Sequence, residues 1–226
     1  MKPSKTVAWP ALTLAAAGAL FVVLVVTETF GRRSVFCSST ACFVEGVLWS
    51  LPSYAATLAI FVAAVLNAAA LARARVGPSS LRIVAMSAAV AGAVAYILVS
   101  IVSLDAAWVG AFSGELSPPP PALRLPQVLA TLTAPLWALS LMLLGVSIAL
   151  TSLLLLPLHA PRALVVLGWI AGVAVAAIPS AQMYTSAQMY TVYRYALPVA
   201  FVTVTVWALW LAVAQIRRGR QPRHVP

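Results

Sequence analysis

The sequence predicts an all-α, polytopic integral membrane bundle of about six transmembrane helices with both termini in the cytoplasm. Three observations predict it. Apolar residues make up 63% of the chain and charged residues only 8%; the apolar residues fall in stretches long enough to cross a bilayer; and the few charges lie between those stretches. A soluble domain carries about 25% charged residues, so this chain has too little charge to cover a water-facing surface. The 226 residues read as a single membrane domain, with 217–226 as a basic cytoplasmic tail.

A hydrocarbon core of ~30 Å takes about 20 apolar residues of helix to cross. The first run, about 7–27, follows the basic start Lys2 and Lys5. It is longer than the roughly 7–15-residue apolar core of a secretory signal, and no A-x-A-like site precedes Thr27-Glu28-Thr29, so it reads as a retained helix. Further runs cover 47–72 and 81–104. The fourth, 126–158, amounts to ~50 Å of helix, too long for one upright span and too short for two joined by a turn. Its membrane part is assigned to about 136–156, with Pro126 and Pro135 bracketing an interfacial or kinked approach. The last two runs are 163–179 and 195–216.

Charge placement orients this set. With the N-terminus inside, the inner segments hold Lys2, Lys5, Arg73, Arg75, Arg82, Arg162, Arg217, Arg218, Arg220 and Arg223 and no acid. The outer segments hold Arg32, Arg33, Arg124 and Arg194 with all four acids, Glu28, Glu45, Asp105 and Glu115. That Lys and Arg bias is the positive-inside signature of a multi-pass protein of the cell membrane. Trp108 and the cluster Tyr184, Tyr190, Tyr193 and Tyr195 fall at predicted outer borders, where aromatic rings favour the headgroup level. Runs of small residues, 15–19 and 87–95, allow neighbouring helices to approach closely.

The formal net charge of +10 does not indicate nucleic acid, because the basic residues sit in small groups at the ends of apolar runs and form no stripe interleaved with aromatics. Anionic lipid is a candidate partner of the basic tail, at ~1 kcal/mol per Lys or Arg. The bilayer itself and other membrane subunits are the remaining expected partners.

Three outer segments could carry chemistry. Cys37 and Cys42 are the only cysteines, and a disulfide closing their short loop would stiffen the first outer loop by ~2 kcal/mol. Their alternative role is a redox pair, but a relay by thiolate attack needs a second pair, and the chain has no C-x-x-C and no third cysteine. Residues 180–191 are a verbatim tandem duplication, SAQMYT twice. Met183 and Met189 carry soft thioethers that suit Cu(I), yet a six-residue step turns a helix by about 600° and aims the copies differently. An interfacial segment presenting Tyr184 and Tyr190 is the preferred reading, and no metal is assigned. Pro118 to Pro121, in the outer loop 104–127, favour a stiff polyproline spacer.

The predicted membrane interior is chemically quiet. All four acids are assigned to loops, which weakens carboxylate-coupled transport and Asp-based chemistry within the bilayer. The two histidines, His159 and His224, lie outside the spans, so bis-histidine haem has no ligands there. Neither a G-x-S-x-G elbow nor a Gly-rich phosphate loop is present, and no cofactor is expected. Asn67 is the one amide well inside a span. It is expected to bond a neighbouring helix for ~0.6–2 kcal/mol, with contact to a neutral ligand as its alternative role.

Elimination leaves three functional classes. The first is a non-catalytic accessory or scaffold subunit of a membrane complex. The second is a permease-like or substrate-binding membrane subunit for a neutral small molecule, using Asn67, serine and threonine hydroxyls and the tryptophans. The third is an outward-facing thiol-disulfide protein using Cys37 and Cys42.

Overall fold

The computed structural model describes residues 9–31, 40–113, 132–158, 160–182 and 187–220. These form six helices: α1 (Trp9–Gly31), α2 (Thr40–Arg73), α3 (Ser79–Ser113), α4 (Thr133–Leu153), α5 (Arg162–Gln182) and α6 (Ala187–Arg220). One 3₁₀ turn, Leu156–Leu158, follows α4, and the described residues contain no strand. Four helices carry apolar stretches long enough to cross a membrane, Tyr54–Arg73, Ser79–Val102, Pro135–Leu153 and Ala196–Arg217. The apolar stretches of α1 and α5, Trp9–Leu24 and Arg162–Ile178, are shorter.

Each helix is apolar on its buried side and on its exposed side. In α3, Ala85, Ala89 and Tyr96 are buried while Ile83, Val94 and Ile101 are more than half exposed; in α6, Val204 and Ala208 are fully buried while Val199 and Leu209 are more than half exposed. A water-soluble bundle would put polar residues on that outer face. An outer surface as oily as the core instead matches a hydrocarbon solvent, which demands that every backbone group be satisfied within its own helix.

The helices close into a ring. Each packs on its sequence neighbour, α6 returns to α1, and α2 also touches α4 across the ring. Contacts give the directions. Gly18 meets Thr205 and Phe21 packs on Phe201 with centroids 4.5 Å apart, so α1 and α6 run antiparallel. Ser147 Oγ donates to the Ala85 carbonyl at 3.0 Å while Gly92 faces Leu143 and Ser140, so α3 and α4 do too. Across α2 and α3, Phe61 stacks on Tyr96 at 5.0 Å, and the Tyr96 hydroxyl donates to the Tyr54 carbonyl at 3.3 Å.

The helices outrun the apolar stretches that sequence periodicity picks out. α2 begins at Thr40 rather than near 47, α3 runs to Ser113, and α6 begins at Ala187. As a result Glu28, Glu45 and Asp105, expected in loops, lie within α1, α2 and α3, close to the helix ends opposite the arginine-rich turns. Helical hydrogen bonding continues into the headgroup region, where charge is tolerated, so hydropathy underestimates helix length. Pro52 in α2 and Pro198 in α6 lie inside their helices, each within two residues of where an apolar stretch, Tyr54–Arg73 or Ala196–Arg217, begins.

The uncertain fourth run resolves into α4, Thr133–Leu153, with the 3₁₀ turn beyond it. Pro135 sits in the first helical turn, where the missing N–H costs nothing, and so starts the helix rather than kinking it. Pro126 and the proline run Pro118 to Pro121 lie outside the described residues. At the far end the Leu155 N–H reaches the Ser152 carbonyl at 3.1 Å, a tightening that closes α4 before Pro157.

α2 ends in a Schellman cap. The Val76 N–H bonds to the Leu71 carbonyl at 3.2 Å and the Arg75 N–H to the Ala72 carbonyl at 3.1 Å, while Leu71 and Val76 are both buried in the core. The left-handed residue of this cap is Arg75, at φ 52, where glycine is usual and an L side chain costs roughly 1–2 kcal/mol. Gly77 follows at φ 70; a Cβ there would lie 2.8 Å from Leu154 Cδ2. The α2–α3 turn is therefore seated on the α4–α5 turn.

Candidate functional site

The buried polar groups of the described residues are Thr57, Asn67, Ser140, Ser147, Thr151 and Ser152. None is ionisable. Several hydroxyls are committed to backbone carbonyls: Ser140 to Trp137 at 2.7 Å, Ser152 to Ala149 at 2.7 Å, and Ser147 across to Ala85. A hydroxyl bonded to its own helix satisfies itself locally, the economical solution in a medium without water. Ser147 joins α4 to α3 in this way, as the Tyr96 hydroxyl joins α3 to α2.

Three buried polar atoms have no hydrogen-bond partner: Asn67 Oδ1, Gln215 Oε1 and Trp207 Nε1. Asn67 is 2% exposed and occupies the stripe Ile60, Ala64, Asn67, Leu71, whose spacing keeps it on one helical face. Gln215 occupies the corresponding stripe of α6, Val204, Ala208, Leu211, Gln215. On α6 this stripe runs between the side that meets α1 through Phe201 and the side that carries Trp207 to α5. Both amides lie toward the arginine end, Asn67 about 9 Å of helix before Arg73 and Gln215 within a turn of Arg217.

The expected role of Asn67 as a bond between helices is not what its oxygen does, since Oδ1 accepts no hydrogen bond. An unmet acceptor in a dry interior costs about 1–3 kcal/mol. Trp207 is fully buried, and its ring fits the gap left by Gly168 of α5, where a Cβ would collide with Nε1 and lie 2.6 Å from Cε2.

Other sequence candidates fall at the margins. Cys37, Met183 and Tyr184 lie outside the described residues. Cys42 lies in the first turn of α2, and Met189 and Tyr190 in the first turn of α6; their side-chain positions are not described, and the disulfide is not shown. The repeat lies mostly in helix rather than wholly in a loop, because Ser180 to Gln182 end α5 and Ala187 to Thr191 begin α6. Among the described residues no three His, Cys, Asp or Glu side chains gather where a metal could bind.

Sequence inspection does not single out Trp207 among the tryptophans, and it passes over Gln215 and the glycines of α4 and α5. Their signal was present in Gly145-x-x-x-Ala149 and Gly168-x-x-x-Gly172-x-x-x-Ala176, the small-residue spacing of close helix crossings. Neither protein-family models, nor curated proteins, nor solved structures give a match to this chain.

Proposed function

We propose that this chain is a non-catalytic, multi-pass protein of the cell membrane, with both termini cytoplasmic, acting as an accessory or scaffold subunit of a larger membrane complex. The observation that carries the reading is the buried polar set. It comprises hydroxyls and one amide, and three of its serines already donate to backbone carbonyls. Acid–base or nucleophilic catalysis needs a titratable group within hydrogen-bond reach of a nucleophile; among the described buried residues the titratable side chain is Tyr96, and its hydroxyl is already committed to the Tyr54 carbonyl. The orientation is supported by the Lys and Arg bias of the sequence and by the arginines of the α2–α3 and α4–α5 turns standing at one end of the ring. Extraction of the native protein in mild detergent, followed by mass spectrometry of the purified particle, is expected to recover at least one further membrane protein in stoichiometric amount. A stable particle containing this chain alone overturns the reading.

The unmet amide oxygens favour a second reading, a subunit that binds a neutral small molecule inside the ring. Two bare acceptors toward one end of the ring suit a neutral ligand with hydrogen-bond donors, and a ligand that satisfied them would recover the cost of leaving them bare. Asn67→Leu separates the cases. It removes the bare oxygen at similar volume, so the purified protein is expected to gain about 1 kcal/mol, read as a rise of roughly 2–4 °C in thermal midpoint. If a neutral ligand uses this oxygen, the same substitution also abolishes the stabilisation that ligand gives the wild type. A ligand-dependent shift of equal size in both proteins removes Asn67 from any binding site.

A further inference from the structure

We propose that the arginine-bearing turns at one end of the ring form a binding site for the headgroup of an anionic phospholipid, with Arg75 as its fixed element. The turn between α2 and α3 carries Arg73, Arg75 and Arg82, and the turn it rests on leads into Arg162 of α5. The two turns touch at Gly77, where a Cβ would stand 2.8 Å from Leu154 Cδ2 and 3.8 Å from Pro157 Cγ. Arg73, Arg75 and Arg162 are exposed and Arg82 is half-buried. The acids within described helices, Glu28, Glu45 and Asp105, lie near the opposite ends, so among the described residues no carboxylate is at hand to neutralise this face.

A topological signal would account for basic residues here, but not for the conformation of Arg75. Orientation needs Lys or Arg near the end of a span and is indifferent to which residue of the turn supplies it. Arg75 instead occupies the one position of the cap with a left-handed backbone, φ 52, which glycine fills without strain. Non-glycine residues held in that region concentrate where a side chain has to be presented in a set direction. The cap supplies the rigidity: Val76, next in the chain, is buried at 7% exposure, and Gly77 is held against the α4–α5 turn.

The occupant follows from depth and charge. Arg73 ends one apolar stretch, Tyr54–Arg73, and Arg82 lies in the first turn of another, Ser79–Val102, so the guanidinium groups stand at headgroup level. Guanidinium pairs geometrically with phosphate oxygens through paired N–H donors. A phospholipid offers that phosphate at this depth while its acyl chains lie along the exposed apolar faces of α2 and α3, for example Leu66, Ile83 and Val84.

The test uses the full chain purified in dodecyl maltoside, with thermal midpoints measured alone and with phosphatidylglycerol, phosphatidylcholine or inorganic phosphate added. Phosphatidylglycerol is expected to raise the midpoint by about 3–6 °C, with phosphatidylcholine and phosphate each moving it by less than about 1 °C. Arg75→Gly is expected to raise the lipid-free midpoint, because the backbone strain is removed, while cutting the phosphatidylglycerol shift to less than half. Arg162→Gln, which leaves the cap untouched, is expected to reduce the shift without that lipid-free gain. An undiminished phosphatidylglycerol shift in both variants overturns the proposal, as does an equal shift with phosphatidylcholine or with phosphate alone.

Discussion

Gly172→Ala is expected to destabilise the bundle by about 2 kcal/mol, lowering its thermal midpoint in detergent by roughly 4–8 °C. Helix propensity alone predicts the opposite sign, since replacing glycine by alanine in a helix interior gains about 1 kcal/mol. Packing decides the outcome. A Cβ on Gly172 would lie 2.5 Å from the Gly145 carbonyl oxygen, 2.6 Å from the Ala149 backbone nitrogen and 2.8 Å from the Ala149 Cβ. Two of those three neighbours are backbone atoms of α4 and cannot swing aside, so α4 and α5 must separate. Overpacking of this kind typically costs 1–3 kcal/mol (about 3 at an unyielding site), which exceeds the propensity gain. Gly145 faces the reciprocal constraint, with the Ala176 backbone nitrogen 2.5 Å from its Cβ position. Val173, the next residue along α5, is 43% exposed, and Val173→Ala is expected to move the midpoint by no more than about 2 °C. Equal effects at 172 and 173 would show that α4 and α5 do not cross here.

That crossing marks how far sequence reading reaches in this chain. The membrane character of the bundle and the rough positions of its helices were legible because hydrocarbon thickness acts on each segment separately: about 20 apolar residues are needed whatever the neighbours are. Helix ends were less legible. Glu28, Glu45 and Asp105 mark where the apolar stretches stop, but a backbone that has left the hydrocarbon can remain helical, and in α1, α2 and α3 it does. Pro135 could be read as a kink or as a start, and only the onset of α4 at Thr133 distinguishes them.

The interior was legible in composition but not in pairing. Asn67 stands out in sequence as a lone amide within an apolar run, and its burial follows from the stripe it occupies. That its oxygen finds no partner depends on what the neighbouring helices bring toward it, which no local pattern encodes. Gly168 and Trp207 present the same difficulty in stronger form. A glycine in α5 and a tryptophan in α6 are each unremarkable alone, and their meaning lies in one filling the space that the other leaves.

Substituting Trp207 is expected to give the largest single loss of stability in the bundle, and the form of that loss tests the fit with Gly168. Trp207 is fully buried, so Trp207→Ala removes a large ring from a packed interior and is expected to cost about 3–5 kcal/mol, read as loss of most folded protein after purification. Trp207→Phe opposes two effects: part of the ring packing is lost, yet the buried N–H without an acceptor is removed with it, a relief of about 1–3 kcal/mol. The net change is expected within about 1 kcal/mol of wild type. Gly168→Ala in the native background drives a methyl into the indole, whose Cε2 would stand 2.6 Å away, and into the Ser152 Cβ at 2.7 Å. In the Trp207→Phe background the indole edge is gone and only the Ser152 contact remains, so the cost of Gly168→Ala is expected to fall by at least about 1 kcal/mol. A coupling of that size between residues on different helices requires direct contact. Additive effects would place the two side chains apart and leave the indole N–H without the apolar surroundings that make it costly.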